Sequence, residues 1–207
     1  MSKAFGRQFR ENPYFWVTRK ILRGFDPTED VRQWWLKGML SQYDLYNLIP
    51  HIALKRHTIN RAQNRQTLGL TVDGQGVPRE QVEMLGASGE VAVARWLGDH
   101  PQYVKDSPEQ GADIHFRRYG FDVKATWRGN GSLLVPQDRI ERARGDTHGY
   151  ILVIGNPYAG FYIVGWAWAA EIEAAPYRPY QKRCHGLSQH ALRSPASLLR
   201  IKWNGAA

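Results

Sequence analysis

The sequence predicts an α/β protein, with a mixed sheet flanked by helices over residues 78–175 and an all-helical region before it. The hydrophobic pattern supports this fold class because it alternates between helical and strand repeats, in the order helix, strand, strand, helix, strand, strand, helix. The 207 residues are 43% hydrophobic, which is enough for a buried core and unlike a disordered chain. The longest apolar runs, such as residues 150–154, are far shorter than the roughly 20 residues of a membrane-spanning helix, so no membrane association is expected.

The region before the sheet, residues 1–77, carries helical signals. An N-cap, a first-turn proline and a capping-box acid at residues 26–29 predict the start of a helix. Val31, Trp34, Trp35, Gly38 and Leu45 follow at helical spacing. Pro50 is expected to interrupt this pattern.

A second helix, predicted over residues 52–66, is polar and basic. Glycines in residues 71–77 predict a linker that ends this basic, aromatic-rich region. Its Trp residues favour a helical core over stacking on nucleic-acid bases.

The elements of the central region follow in order. An amphipathic helix is predicted over residues 78–98, with Gly98 ending it. Two strands of alternating polarity are predicted over residues 112–118 and 121–127, joined at Tyr119-Gly120. A short helix over residues 136–144, two buried strands over residues 150–154 and 161–164, and a closing helix over residues 166–173 follow. Residues 176–207 are basic with little periodicity, and we interpret them as a C-terminal tail.

The net charge of +9 and the single cysteine, Cys184, exclude some classes of protein and favour others. One cysteine excludes disulfide frameworks and cysteine-rich zinc sites, and no apolar segment follows the basic N-terminus, so we expect a cytoplasmic protein. The basic surplus lies in residues 1–75 and 151–207, whereas acidic and basic residues nearly balance in residues 76–150. Basic flanks around a neutral centre favour a polyanionic partner such as nucleic acid.

A polar cluster is predicted where the two alternating strands bury their opposite face. Asp122 and Lys124 share one side of their strand, and Asp113 and His115 share one side of the preceding strand. A hairpin that pairs Asp113 with Lys124 and His115 with Asp122 would bring all four onto one face.

Glu90 adds a third carboxylate from the edge of the preceding helix. Three carboxylates and a lysine suit Mg²⁺, which prefers oxygen ligands, with Mn²⁺ as a substitute ion. A lysine beside such an ion would position or deprotonate a water, or neutralise charge on phosphoryl oxygens. The residues therefore indicate phosphodiester hydrolysis.

This arrangement resembles the PD-(D/E)xK nuclease superfamily, which has the restriction-endonuclease-like fold. The resemblance covers residues 83–173 and rests on Glu90 on a helix, Gly111-Ala112-Asp113 at one strand and Asp122-Val123-Lys124 on the next. It implies that Asp113 and Asp122 bind Mg²⁺, that Lys124 assists the water, and that Glu90 supports the metal directly or through water. Ala112 stands where the name-giving motif has proline, and Gln137 is placed to match a glutamine that some members carry on the next helix.

Other basic residues are candidate nucleic-acid contacts. Arg117, Arg118 and Arg128 lie near the predicted cluster, and the basic helix contributes Lys55, Arg56, Arg61 and Arg65. Solvated arginines and a solvated helix are the alternative interpretations.

The leading hypothesis is a Mg²⁺-dependent DNA nuclease of phage or mobile-element type, in the bacterial cytoplasm or associated with a virion. Self-association or contacts with other phage proteins would fit this setting. The alternatives are a nucleic-acid-binding or virion structural protein that keeps the fold with little or no activity, and an RNA-processing nuclease.

Overall fold

The structure, a computed structural model, describes residues 40–41, 43–62, 71–72, 75–98, 111–143, 145–156, 160–179 and 183–201. It confirms a mixed α/β protein built on a mixed sheet with flanking helices. The predicted helix carrying Trp34 and Trp35 lies outside the described residues, as does Arg65. No helix in the described ranges is long and apolar enough to cross a membrane.

The first described helix is continuous through Pro50. A π-helical turn, Asp44–Leu48, leads directly into helix α1, Ile49–Ala62. The prediction that Pro50 interrupts the helix is therefore wrong. Proline has no N–H to donate, but a π-helical turn is one way for a helix to accommodate the missing hydrogen bond. Two strands of two residues each, β1 (Thr71–Val72) and β2 (Gln75–Gly76), form a small hairpin in the predicted linker.

Helix α2, Arg79–Leu97, agrees closely with the sequence prediction. Pro78 occupies its N-cap position, and Gly98 ends it with a left-handed φ of 80°. A Cβ on Gly89 would lie 2.8 Å from the Cβ of Ala125, so this glycine lets α2 approach the sheet closely. A Cβ on Gly86 would meet nothing within 4 Å, so only one of the two glycines serves the approach.

The main sheet has the order β3-β4-β6-β7, with strands Ile114–Phe116, Tyr119–Thr126, Gly149–Asn156 and Gly160–Trp168. The β3/β4 and β6/β7 pairs are antiparallel, and the central β4/β6 pair is parallel. The predicted closing helix begins later than expected because β7 continues to Trp168, so helix α4 is only Ala169–Glu173.

The predicted hairpin register is wrong by two residues. His115 pairs with Gly120 and Phe116 with Tyr119, so the turn is Arg117-Arg118 and not Tyr119-Gly120. A shift of two keeps each side chain on its predicted face, because the side-chain repeat of a strand is two. Continuing this register places Asp113 opposite Asp122.

A second sheet, of order β5-β9-β8, joins the centre of the chain to its C-terminal segment. Strand β5 (Leu133–Pro136) precedes the short helix α3 (Gln137–Ala143), and strands β8 (Tyr177–Pro179) and β9 (Arg183–Leu187) come from the predicted tail. The segment therefore contributes to the fold, and it continues through a 3₁₀ turn, Gln189–Ala191, into helix α5, Pro195–Leu199.

Two apolar cores lie on opposite faces of the main sheet. Helix α2 covers one face, with α1 packed against α2, and buried side chains there include Val91, Phe121 and Ile151. On the other face, Tyr150 and Leu152 of β6 pack with buried residues of β5, α3 and α4, including Leu133, Val135, Ile140 and Ile172. Asp122 and Lys124 lie on this second face, because they are the parallel partners of Tyr150 and Leu152.

Candidate active site

Asp122 is the buried centre of the predicted cluster. It is 1% exposed, and both of its carboxylate oxygens face cations. Oδ1 accepts hydrogen bonds from Arg139 Nε at 3.2 Å and from Arg139 Nη2 at 2.7 Å, whereas Oδ2 contacts the Lys124 ammonium. Burial alone would raise the pKa of Asp122, but Lys124 and Arg139 outweigh it and hold that pKa below its usual range. Asp122 is therefore an ionised carboxylate.

Asp113 lies in a different electrostatic environment. It precedes β3 by one residue, and its Oδ2 accepts the N–H of Val123 at 2.8 Å. Burial raises the pKa of Asp113 well above its usual range, and the carboxylates of Asp122 and Glu90 raise it further. No cation of the described residues forms an ion pair with Asp113.

The two carboxylate oxygens of Glu90 are both bonded to an arginine. Arg56 of α1 holds both: Nη1 lies 2.5 Å from Oε1, and Nη2 lies 2.5 Å from Oε2. The pair is buried, with side-chain exposures of 8% for Arg56 and 5% for Glu90. Both oxygens of Glu90 are therefore engaged by Arg56 in this structure, and a contact between Glu90 and a metal, directly or through water, stays a prediction.

The role expected for Arg56 needs correction. The sequence placed it with the exposed phosphate-binding residues of the basic helix, but it lies on the buried side of α1 and is committed to Glu90. Its charge still acts on the site, because Arg56 is close enough to offset part of the rise in the pKa of Asp113.

The site thus brings together three carboxylates and three cations from four elements and the residue before β3. The carboxylates are Glu90, Asp113 and Asp122, and the cations are Arg56, Lys124 and Arg139. Among the described residues, no three carboxylate, imidazole or thiolate groups converge into a ready-made metal cage. Two carboxylates, from Asp113 and Asp122, remain as candidate ligands for an ion that would keep water or substrate oxygens in its other positions.

No protein family, curated protein or solved structure matches this chain. The chemistry proposed for the site therefore rests on its own geometry.

Two sequence-predicted neighbours lie elsewhere. His115 is about half-exposed, with Nε2 3.6 Å from Asp146 Oδ1, and in the observed register it does not face Asp122. Gln137 is turned toward β9, where its Oε1 lies 2.7 Å from His185 Nε2. It also donates to Glu141 at 2.8 Å, so it does not line the carboxylate cluster.

The candidate nucleic-acid arginines have unequal exposure and contacts. Arg117, Arg118 and Arg128 are exposed. Arg117 has a left-handed φ of 58° and donates to the backbone carbonyls of Leu199 and Ile201 after β9. Arg118 lies against the ring of Tyr119. Arg117 is therefore engaged in holding the C-terminal segment.

On α1, Lys55 and Arg61 are exposed. The acidic residue of the preceding π-helical turn, Asp44, is buried and bonded to Arg95. Helix α1 contains no acidic residue of its own, and a nucleic-acid contact by Lys55 and Arg61 stays a prediction.

Sequence reasoning missed Arg139. It lies on α3, where it binds Asp122 and also donates to the carbonyl of Gly111 at 3.1 Å. The sequence does show an arginine next to the apolar Ile140, on the helix that follows the strand of Lys124, but Gln137 was the residue of that helix matched to the site. Tyr150 was also missed, although a parallel neighbour strand places it beside Asp122. Burial raises the pKa of Tyr150, and the Asp122 carboxylate raises it further, so it is a neutral hydroxyl.

Proposed function

We propose that this protein is a Mg²⁺-dependent DNA nuclease with a restriction-endonuclease-like core, in which Asp113, Asp122 and Lys124 form the catalytic centre. The observation that carries the proposal is Asp113: burial and the charges of Asp122 and Glu90 raise the pKa of its carboxyl, and no cation of the described residues forms an ion pair with it. Such crowding of negative charge is costly in a folded protein unless a cation relieves it.

The donor set fits a hard divalent ion. Asp113 and Asp122 offer carboxylate oxygens, and Mg²⁺ is usually held by one or two carboxylates while it keeps several waters and binds phosphate. When bound, the ion would supply Lewis-acid activation of a water and charge neutralisation at the scissile phosphate. Glu90 is left out of this set, because Arg56 holds both of its oxygens.

The chain's own groups have separate roles in the proposed reaction. The water oxygen forms a new bond to phosphorus while the bond from phosphorus to the 3′ oxygen breaks, which yields a 5′-phosphate and a 3′-hydroxyl. Lys124 orients the water and offsets charge on the phosphoryl oxygens; the water loses one proton to solvent, and the departing 3′ oxygen takes up one proton from solvent. Arg139 keeps Asp122 ionised and in place.

The charge distribution supports a nucleic-acid substrate. Phosphate repulsion at an acidic centre is offset by basic residues in both flanks of the sequence, among which Lys55 and Arg61 are exposed on α1. The phage setting, the association with other phage proteins and the choice of DNA over RNA rest on the resemblance alone.

The proposal is tested by incubating the full chain with plasmid, linear and single-stranded DNA and with RNA, in Mg²⁺, Mn²⁺ or EDTA. Wild type should cleave DNA only with the metal present. Asp113→Asn and Asp122→Asn should each lose activity by at least about 100-fold, in the range typical of essential catalytic groups. Asp138→Asn, which changes an exposed aspartate on α3, is the matched control and should keep wild-type activity.

A second candidate function has one observation in its favour. Lys124 and Arg139 already neutralise Asp122, and Arg56 neutralises Glu90, as expected of a structural charge cluster in a nucleic-acid-binding protein without activity. If wild type binds DNA but neither it nor the Asp113→Asn variant cleaves any substrate in Mg²⁺ or Mn²⁺, this second function replaces the first. Cleavage of RNA alone would make the protein an RNA-processing nuclease.

A further inference from the structure

The three cations of the site are held in different ways. Among the described residues, Arg56 makes a bidentate pair with Glu90, and Arg139 donates three hydrogen bonds, two to Asp122 and one to the carbonyl of Gly111. Within the same residues, Lys124 makes one ion pair, with Asp122 Oδ2. Its side chain is 28% exposed, compared with 19% for Arg139 and 8% for Arg56.

These differences determine which of the three cations is most easily displaced from its carboxylate. A guanidinium with two or three fixed bonds loses all of them when it moves, whereas an ammonium is a single flexible point charge that exchanges one contact for water. Lys124 also has the greatest access to solvent of the three. It is therefore the displaceable cation.

The two oxygens of Asp122 differ for the same reason. Arg139 occupies Oδ1 through both Nε and Nη2 and is tied to the backbone before Asp113. Oδ2 has no hydrogen bond of good geometry in the structure and is held through the Lys124 contact. Oδ2 is thus the oxygen that becomes available when Lys124 moves.

We infer that Lys124 is a placeholder for the divalent cation: in the metal-free protein its ammonium neutralises Asp122 Oδ2, and metal binding displaces it toward the substrate phosphate. This inference rests on the proposed function. It assigns Oδ2 of Asp122 as the metal-binding oxygen and Arg139 as the group that fixes the other oxygen. Lys124 and the metal then compete for one carboxylate oxygen, which limits metal affinity in the absence of nucleic acid.

The inference is tested by Mn²⁺ binding to the full chain without nucleic acid, measured by titration calorimetry for wild type and two variants. Lys124→Gln removes the competing charge and should bind Mn²⁺ at least about tenfold more tightly than wild type. Lys124→Arg supplies a guanidinium that holds carboxylates at two points, and it should bind Mn²⁺ several-fold more weakly. Arg142→Gln removes an exposed cation of α3 that pairs with Asp138, and its Mn²⁺ affinity should stay within about twofold of wild type.

Thermal unfolding provides a second measurement. In EDTA, Lys124→Gln should melt below wild type, because the buried Asp122 loses one counter-ion, and added Mn²⁺ should raise its melting temperature more than that of wild type. If Lys124→Gln fails to fold, the weaker binding expected for Lys124→Arg still tests the inference.

The outcomes separate the two proposals. If wild type binds Mn²⁺ and cleaves DNA while both Lys124 variants bind Mn²⁺ as wild type does, the placeholder role is overturned and the nuclease function stands. If neither wild type nor Lys124→Gln binds Mn²⁺ at millimolar concentration and wild type cleaves nothing, both proposals are wrong.

Discussion

The roles of the Arg56 and Glu90 side chains depend on a partner that is distant in sequence. They lie 34 positions apart in sequence, on α1 and α2, and form a bidentate ion pair in the protein interior. Each was assigned from sequence to another role, Arg56 to phosphate binding and Glu90 to the metal. A buried charge is costly unless it is paired, and this pair joins α1 to α2 in the protein interior.

Removing one partner of this pair should be far more damaging than removing both. Arg56→Leu leaves Glu90 buried without its cation and should lower the free energy of unfolding by about 3–5 kcal/mol. The double variant Arg56→Leu, Glu90→Leu should recover most of that loss. Urea unfolding of both single variants and the double variant measures the coupling.

A surface pair provides the control for this cycle. Arg142→Ala breaks an exposed ion pair with Asp138 and should change the free energy of unfolding by less than about 0.5 kcal/mol. If Arg56→Leu is as mild as Arg142→Ala, the buried pair does not stabilise the packing of α1.

Asp44 is expected to make the stability of the protein sensitive to acid. It is fully buried in the π-helical turn, and burial would raise its pKa, but hydrogen bonds from Arg95 and Ser41 outweigh that effect and lower it. A lowered folded-state pKa contributes stability that is present above the ordinary value of 3.8 and is lost as the pH falls through the lower folded-state value.

The free energy of unfolding should therefore fall more steeply below about pH 4 in wild type than in Asp44→Asn. Asn keeps the shape but has no acidic group, so its variant should be less stable at neutral pH and less dependent on acid. Urea unfolding at a series of pH values checks this, and parallel pH profiles for the two proteins would contradict it.

At the scale of an element, helix α2 was the best predicted segment, because its apolar repeat, its proline start and its glycine end are all local signals. The four strands of the main sheet were predicted, but the register of the β3/β4 pair was not. The two-residue turn at Arg117-Arg118 decides the β3/β4 register, and arginine is not a characteristic turn residue. Strand β5, with four residues, is too short to be recognised from periodicity.

The two glycines of α2 should respond oppositely to the same substitution. Gly86→Ala adds a methyl group in open space and should stabilise the protein by about 0.5–1 kcal/mol, because alanine favours the helix. Gly89→Ala drives a methyl group to within 2.8 Å of Ala125 and 2.9 Å of Val153 and should destabilise the protein by about 1–3 kcal/mol. Urea unfolding compares them, and equal effects would mean that α2 does not approach the sheet at Gly89.

At the scale of the whole molecule, the C-terminal segment completes the fold. Its strand β9 pairs with β5, whose Leu133 and Val135 belong to the second core. After β9, Arg193 is bridged to Trp166 of β7 through two backbone hydrogen bonds, of 3.1 Å and 2.9 Å. The site therefore lies in a main sheet that is covered on both faces.

Removal of residues 176–207 should consequently disrupt folding. The truncated chain should unfold without a cooperative transition and bind a dye specific for exposed apolar surface, because β5 loses its partner strand. In the full chain, Cys184 of β9 is buried, so its thiol should react slowly with a thiol reagent until urea is added. A truncated chain with the urea midpoint of the full chain would show that the segment is a dispensable tail.

The sequence by itself determined the helices and the four main-sheet strands of the central region, and the face on which Asp122 and Lys124 lie, because these follow from repeats of about four and two residues along the chain. It also indicated the chemistry of carboxylates beside a lysine. Only the tertiary structure decided which charges meet: Arg139 and Lys124 at Asp122, Arg56 at Glu90, and Asp113 without an ion pair among the described residues. The physical reason is that an ion pair depends on distances across packed elements, and local periodicity carries no information about them.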